Sequence, residues 1–96
     1  MTDALTFRHD VAGRRYVGER AGTQVAFADV DPIGPDALLI KHTEVLPAEE
    51  GTGYGSALVR SLLGHARAEG KKVIPICPYA AAFIRKHPEF QDLVRK

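Results

Sequence analysis

The sequence has almost no material for covalent or metal cross-links. Its 96 residues include one cysteine, Cys77, and four histidines. A single thiol cannot close an internal disulfide, and these potential ligands are too few and too scattered for a zinc finger or a zinc ribbon. We therefore expect no metal site and a reducing compartment.

Long apolar segments and a large charge of one sign are also missing. The longest apolar runs cover residues 37–40 and 80–84, whereas a membrane-spanning helix needs about 20 apolar residues. No basic stretch leads into an apolar segment at the start, so we expect neither export nor membrane attachment, and a cytoplasmic location. The formal net charge of +1 disfavours nucleic acid and anionic membranes as partners.

What is present is typical of one small globular domain, which we place at residues 1–96. Hydrophobic residues make up 45% of the chain and charged residues 26%, as in ordinary folded proteins. The charge is unevenly distributed, with −4 over residues 1–50 and +5 over residues 51–96. Either the second half holds an anion and the first half meets a cation, or basic residues simply cluster at helix C-termini.

Alternating apolar and polar residues predict three short strands in a meander, over residues 5–10, 14–20 and 24–30. Residues 31–36 contain two prolines and a glycine, so we expect a loop there. A central strand is predicted over residues 37–45, buried on both faces at its start and polar at its end.

From Gly55 the apolar residues follow a helical spacing, and Gly70 marks the end of that helix. A fifth strand is predicted over residues 72–77, where Pro75 requires an edge position or local splaying. A second helix is expected over residues 79–87, between Pro78 and Pro88. The order is β-β-β-β-α-β-α, an α/β fold with a mixed sheet. Strands 1–4 should be antiparallel, and strands 4 and 5 parallel and splayed, because a β-α-β unit normally makes a right-handed crossover.

A glycine-rich turn, Glu50-Gly51-Thr52-Gly53-Tyr54-Gly55-Ser56, joins the central strand to the first helix. Glycines at a helix N-terminus leave backbone amides open to an anion such as a phosphate. A Walker loop is excluded because Gly55 is not followed by Lys and Ser or Thr, and Leu58 occupies the third glycine position of a dinucleotide fingerprint. The alternative is a tight connection without a ligand.

Three motifs follow one another along the chain: His42-Thr43-Glu44-Val45, Pro75-Ile76-Cys77-Pro78-Tyr79 and Lys86-His87-Pro88-Glu89-Phe90. In addition, Val45-Leu46-Pro47 precedes Gly53-Tyr54-Gly55. The latter pair resembles the phosphate loop of the GNAT superfamily of acetyl-CoA-dependent N-acetyltransferases, Gln/Arg-x-x-Gly-x-Gly/Ala after a strand ending Val-x-Pro. The three motifs resemble those of a subgroup of very small, single-domain members, over roughly residues 5–94.

This resemblance implies that the protein binds acetyl-CoA and transfers the acetyl group to an amine by direct attack in a ternary complex. It implies that backbone amides near Val45 hold the acetyl oxygen. The acceptor is expected to be a protein or peptide lysine or a polyamine, because a chain this short leaves an open groove. The alternative is a CoA-binding module with little or no catalysis, and we expect a monomer or a weak dimer. Candidate cofactor-binding residues are Val45, Gly51, Thr52, Gly53, Tyr54, Gly55, Ser56, Tyr79, Phe83 and His87.

Two positions depart from the superfamily pattern. Glu50 stands where Gln or Arg is usual, so Arg60 or Lys86 is expected to supply the missing charge. Many larger members have a tyrosine on the last helix that protonates the leaving thiolate, but the nearest positions here are Phe83 and Ile84.

Three side chains are candidates for proton transfer. Glu44 is the leading candidate for the base, because a carboxylate at the polar end of a central strand can take a proton from an ammonium group. His42 should lie on the same face, and an ordinary histidine pKa of about 6.5 suits the task. Cys77 could protonate the leaving thiolate or accept the acetyl group, and direct attack favours the first role. The structural alternatives are an exposed strand-end acid, a hydrogen-bonded histidine and a buried apolar thiol.

Overall fold

The computed structural model of the protein describes residues 5–47, 51 and 53–95. The predicted element order is confirmed, and a 3-10 helix follows the second α-helix. None of the helices in these ranges is long and apolar enough to cross a membrane. The elements are β1 (Leu5–Asp10), β2 (Arg15–Arg20), β3 (Thr23–Ile33), β4 (Ala37–Val45), α1 (Tyr54–Ala68), β5 (Lys72–Pro75), α2 (Pro78–Lys86) and the 3-10 helix (Pro88–Leu93).

The five strands form one sheet in the order β1-β2-β3-β4-β5. The first four are antiparallel and β5 is parallel to β4, which confirms the predicted mixed sheet. Pairing of β4 with β5 stops at Ile40 and Pro75, although β4 continues to Val45. The two strands therefore part at this point, and Pro75 lies on the last strand of the sheet.

The predicted loop over residues 31–36 is wrong for its first half. β3 continues to Ile33, and only residues 34–36 form the turn into β4. Pro32 is compatible with a strand here because β2 begins at Arg15, opposite Asp29, so the end of β3 pairs with β4 alone. A proline is tolerated where a strand has a neighbour on one side only.

The predicted end of the fifth strand is also wrong. β5 ends at Pro75, and Cys77 is the N-cap residue of α2. The backbone amides of Ile76 and Cys77 both donate to the carbonyl oxygen of Ile40, at 3.2 and 3.0 Å. These two hydrogen bonds to one carbonyl oxygen take the place of further strand pairing, and the chain then enters α2.

A β-bulge lies in the middle of β4. Asp29 pairs with His42 and Val30 pairs with Ile40, so Lys41 has no partner in β3. An extra residue of this kind reverses the alternation of side chains between the two faces of the sheet.

Beyond the bulge, Thr43 and Val45 face the helices, and His42 and Glu44 point to the opposite face. The Sγ atom of Cys77 lies 3.6 Å from Oγ1 of Thr43, which confirms the direction of that side chain. The bulge thus places the two polar candidates on the side of the sheet that the helices leave open.

Both helices pack on one face of the sheet and form a single core with it. That core includes Leu58, Leu62 and Leu63 of α1, Phe83 and Ile84 of α2, and Tyr16, Ala28, Val30, Leu38 and Ile40 of the strands. The other face carries no helix in the described part of the chain, and we call it the helix-free face (Arg8, Arg15, Val17, Phe27, Asp29, Asp31, His42 and Glu44).

Long charged side chains cover the helix-free face. Val17 is only 1% exposed, although no helix lies over it. The aliphatic stems of arginine and glutamate side chains bury apolar surface in this way while their charged ends stay in water. Arg8 pairs with Glu19 at 3.4 Å, and Asp31 pairs with both Lys41 and Arg14, at 3.0 and 3.5 Å.

The 3-10 helix is attached to α1 by one arginine. Both terminal nitrogens of Arg67 donate to the Asp92 carboxylate at 2.9 Å, and Nη2 also donates to the carbonyl oxygen of Glu89 at 2.7 Å. This bidentate pair raises the pKa of Arg67 and lowers the pKa of Asp92, each mainly through their mutual hydrogen bonds. The Arg67 and Asp92 side chains are 47% and 61% exposed, so the pair fixes the position of the helix more than it stabilises the fold.

Candidate active site

A cleft of about 610 Å³ opens beside the end of β4, where β4 and β5 part. It lies between the start of β3, the end of β4, the N-terminus of α1 and the first turn of α2. Seven of the predicted site residues line it: Glu44, Val45, Gly51, Gly53, Tyr54, Gly55 and Tyr79. Thr52 and Glu50 lie outside the described residues.

The glycine turn provides an open wall of this cleft. Gly51 and Gly53 have φ angles of 83° and 84°, in the left-handed region that favours glycine. Within the described part of the chain, no atom beyond the adjacent residues lies within 4 Å of where a Cβ would be at either glycine. The first α-helical hydrogen bond of α1 runs from Ala57 to Gly53, so the amides of residues 54–56 have no acceptor within the helix.

A positive charge that the sequence did not reveal lies next to this helix N-terminus. Nη1 of Arg20 donates to the phenol oxygen of Tyr54 at 2.8 Å, and the guanidinium carbon lies 5.7 Å from the centroid of that ring. Arg60 and Lys86, the predicted sources of positive charge, do not line the cleft. Arg60 instead pairs with Glu89 at 3.6 Å.

Glu44 and His42 lie on the same face of β4, as predicted. Nε2 of His42 is 3.6 Å from Oε2 of Glu44, and more than half of each side chain is exposed. Glu44 lines the cleft, whereas His42 lies next to it. The carboxylate is therefore the titratable group of this pair that a molecule in the cleft would meet.

Tyr79 reaches across the cleft from α2 to α1. Its phenol oxygen is 3.2 Å from the hydroxyl oxygen of Ser56, and the side chain remains 44% exposed. The cleft therefore contains a phenol, although positions 83 and 84, where we looked for one in the sequence, are Phe and Ile. Tyr79 stands one turn earlier on the same helix.

Cys77 lies behind the wall of the cleft. It is 3% exposed, and its thiol donates to Oγ1 of Thr43 at 3.6 Å. Thr43 lines the cleft and Cys77 does not. The thiol therefore occupies a second layer, separated from the cleft by the threonine.

Phe83 and His87 lie together, away from the lining of the cleft. Their rings stack with centroids 4.0 Å apart and an interplanar angle of 6°, and Nδ1 of His87 lies 3.1 Å from the carbonyl oxygen of Phe83. Phe83 is part of the core between α1 and α2. We predicted from the sequence that both residues bind the cofactor, but they contact each other and neither lines the cleft.

Seven lining residues were not predicted as site residues: Gln24, Val25, Ala26, Phe27, Thr43, Leu46 and Pro47. Phe27 stands directly opposite Glu44 in the β3–β4 register. That pairing depends on the register shift between Asp29 and Val30, without which Phe27 would stand opposite Thr43, so the sequence did not indicate it. The positions of Gln24 and Thr43 in the cleft depend on the two register shifts of the sheet, which the sequence does not indicate.

One family model matches most of the chain. A family model described as GCN5-related N-acetyl-transferase matches residues 15–93. No curated protein matches the sequence.

Several solved structures have the same fold. A GCN5-like protein from Staphylococcus aureus, determined by NMR, is 23% identical, with a TM-score of 0.71 over 95% of this chain and 88% of that one. The ribosomal-protein-S18-alanine N-acetyltransferase of Escherichia coli is 19% identical, with a TM-score of 0.63 over 75% of this chain and 49% of that one. N-acetylglutamate synthase from Neisseria gonorrhoeae, solved with coenzyme A and N-acetyl-glutamate, is 18% identical, with a TM-score of 0.62 over 80% of this chain and 19% of that one. This chain thus spans most of the first protein and half or less of the other two.

Proposed function

Since this chain belongs to the GCN5-related N-acetyltransferase family and is therefore an acyltransferase, we propose that it transfers an acetyl group from acetyl-CoA to a primary amine. The amine attacks directly, in a ternary complex. One observation carries the proposal: the open glycine turn and the Glu44 carboxylate line the same cleft. A module that only bound CoA would need the glycine turn but not the carboxylate.

The glycine turn fits the pyrophosphate of CoA. Gly51 and Gly53 leave room where side chains would project, and the N-terminus of α1 directs amides and the positive end of its dipole to that space. Arg20 lies beside it, hydrogen-bonded to Tyr54. We assign the phosphate contacts to this turn, with Thr52 and the amide and hydroxyl of Ser56 among them.

The edge of β4 beyond Ile40 fits the rest of the cofactor. Residues 41–45 have no partner in β5, so their backbone groups on that side are open to the amides of an extended ligand. We place the acetyl oxygen near the backbone of Val45. Acetyl-CoA supplies the activated thioester when it is bound.

Glu44 is the proposed general base. An acceptor amine is largely protonated near neutral pH, and its ammonium form cannot attack a carbonyl carbon. The carboxylate takes one proton, directly or through a water molecule, and the neutral amine then attacks. His42, at 3.6 Å, orients the carboxylate.

Tyr79 is the proposed donor to the leaving thiolate. Its phenol lies in the cleft and is hydrogen-bonded to Ser56. As the bond from the acetyl carbon to sulfur breaks, the phenol gives its proton to the thiolate and is reprotonated from solvent. Cys77 lies behind Thr43, so we assign it a packing role.

The lining also favours a class of acceptor. Glu44 is the one charged side chain among the described lining residues, and Phe27, Leu46 and Val25 are apolar. An amine with a carboxylate or phosphate next to it would find no basic partner there. A lysine side chain or a polyamine places its ammonium at Glu44 and its aliphatic arm against the apolar wall.

Two measurements on the purified protein test the proposal. Acetyl-CoA should raise Tm, and thiol release from acetyl-CoA should accelerate when a lysine peptide or a polyamine is added. A rise in Tm without accelerated thiol release would support the CoA-binding module instead. No change in Tm at millimolar acetyl-CoA would contradict both.

A further inference from the structure

Phe27 stands where an acceptor bound at Glu44 would have to pass. The two residues are direct partners across β3 and β4, with both side chains on the helix-free face. Directly opposed side chains in an antiparallel pair have Cβ atoms roughly 5 Å apart. Phe27 is half-buried and lines the cleft. Whatever carries the amine therefore lies against this ring.

The ring of Phe27 already has a cation on it. The guanidinium carbon of Arg15 lies 3.9 Å from the ring centroid. Nε of Arg15 donates to Oδ1 of Asp29 at 2.9 Å, which holds the guanidinium in place. The imidazole of His42 lies at the side of the ring, with centroids 6.3 Å apart and an interplanar angle of 60°. A guanidinium thus covers one face of a ring that also lines the cleft.

An acceptor with a second positive charge should bind here less favourably than one with an uncharged arm. An aliphatic arm replaces water on the apolar surface of Phe27 at no electrostatic cost. A second ammonium on that arm would have to leave water at an apolar wall. It would also lie near the guanidinium of Arg15, a like charge on the same ring.

We infer that Phe27, capped by Arg15, is a specificity-determining residue that selects acceptors with a single positive charge. A lysine side chain within a peptide or protein has one ammonium on an uncharged arm, and a polyamine has at least two. The structure therefore favours lysine over polyamines as the acceptor. This inference rests on the proposed function, since it assumes that Glu44 receives the amine.

The test compares pentylamine with cadaverine, two amines with the same arm that differ in the second amino group. With the wild-type protein and saturating acetyl-CoA, kcat/KM for pentylamine should exceed that for cadaverine by about tenfold. Phe27→Ala should raise KM for pentylamine about tenfold while kcat changes less, because the arm loses its contact and Glu44 remains.

Arg15→Gln is the decisive variant. It removes the guanidinium from the ring face, so the preference for pentylamine should fall to about twofold. Arg8→Gln is the matched control, because it removes the same charge from a glutamate pair on the same face, away from the cleft. That variant should keep the wild-type preference.

The outcomes separate this inference from the function on which it rests. Equal kcat/KM for the two amines, or the same preference in Arg15→Gln and Arg8→Gln, would overturn the selection by Phe27 and Arg15 and leave the acetyltransferase activity standing. Failure of both amines and of a lysine peptide to accelerate thiol release would overturn the proposed function as well.

Discussion

The phenol of Tyr79 occupies the space into which any side chain at Gly55 would project. A Cβ added to Gly55 would lie 2.6 Å from the phenol oxygen and 3.0 Å from Cζ of Tyr79. The first turn of α1 and the first turn of α2 are therefore in contact through a glycine and a tyrosine. The phenol can occupy this position in the cleft because residue 55 of α1 has no side chain.

Gly55→Ala should displace the Tyr79 phenol without unfolding the protein, because the crowded atom is the end of a side chain that is 44% exposed. We expect kcat to fall to the level of Tyr79→Phe. Gly64→Ala, on the same helix with no atom within 4 Å of the new Cβ, should leave kcat unchanged and raise stability by about 0.5–1 kcal/mol. If Gly55→Ala lowers kcat further when it is added to Tyr79→Ala, displacement of the phenol is not the cause.

Gly53→Asp should abolish the rise in Tm on adding acetyl-CoA, because it puts a carboxylate where the phosphates are proposed to bind. The φ of 84° at Gly53 also disfavours a side chain, which lowers Tm without ligand. Gly34→Asp provides the control, since Gly34 has a φ of 64° at the far end of the sheet and nothing within 4 Å of a Cβ. Thermal denaturation of both variants should show a cofactor effect in Gly34→Asp only. An equal effect in both would remove the glycine turn from the binding site.

Glu44→Gln should depress kcat/KM for the amine strongly at neutral pH and less at alkaline pH. A base is needed only while the amine is protonated, so the variant should recover as bulk solvent deprotonates the acceptor. The affinity for acetyl-CoA, measured by calorimetry, should stay close to wild type. A pH–rate profile parallel to that of the wild type would move the base role to His42 or to water.

Cys77→Ala should lower Tm and leave kcat close to wild type, because the thiol packs behind Thr43 and does not line the cleft. Incubation with acetyl-CoA and no acceptor should leave the wild-type mass unchanged in a mass spectrum. An added mass of about 42 Da, lost in Cys77→Ser, would show an acetyl-thiol intermediate. Loss of kcat in Cys77→Ala without an adduct would transfer the acid role from Tyr79 to Cys77.

The stability of the protein should fall as the pH drops below the ordinary histidine pKa of about 6.5. Burial and the neighbouring His65, whose ring centroid is 5.3 Å away, lower the pKa of His9, with a smaller lowering by Lys71 and opposing effects of Glu69 and Asp10. Between this lowered pKa and 6.5 the unfolded chain binds the proton more readily, so acidification favours unfolding.

His9→Phe keeps a ring between His65 and Tyr16 and cannot titrate. The variant should lose part of the decline in stability between pH 7 and pH 5, as followed by chemical denaturation. If the loss of stability between pH 7 and pH 5 is the same in His9→Phe as in the wild type, groups other than His9 cause it.

Strand alternation and helical spacing predicted most of the fold because both depend on local sequence. The bounds of β4 were predicted to the residue, since the apolar run over residues 37–40 and the alternation after it are flanked by a proline turn and the glycine turn. The ends of β3 and β5 could not be predicted in this way. Whether Pro32 can be in a strand depends on where β2 begins, and β5 ends where Ile40 accepts hydrogen bonds from two amides at once.

The candidate site was predictable where motifs mark it and not where it depends on contacts between distant elements. The glycine turn, Glu44 and Tyr79 were identified from sequence and line the cleft. Arg20 was missed because its partner Tyr54 is 34 residues away in the chain. The 3-10 helix was missed for a similar reason, since Arg67 of α1 holds it in place.

Because Lys41 is an extra residue without a register partner in β3, the number of residues in β4 decides which side chains face the acceptor. With one residue fewer at the bulge, the alternation of the strand would carry through unbroken, and Glu44 would turn into the hydrophobic core while Thr43 turned toward the acceptor. The identity of the carboxylate would be unchanged, yet it would sit on the wrong side of the sheet. A single-codon deletion there is thus a far more severe change than the loss of one exposed lysine. Insertions and deletions in residues 40–42 should be rarer among functional descendants of this gene than any substitution of Lys41 itself.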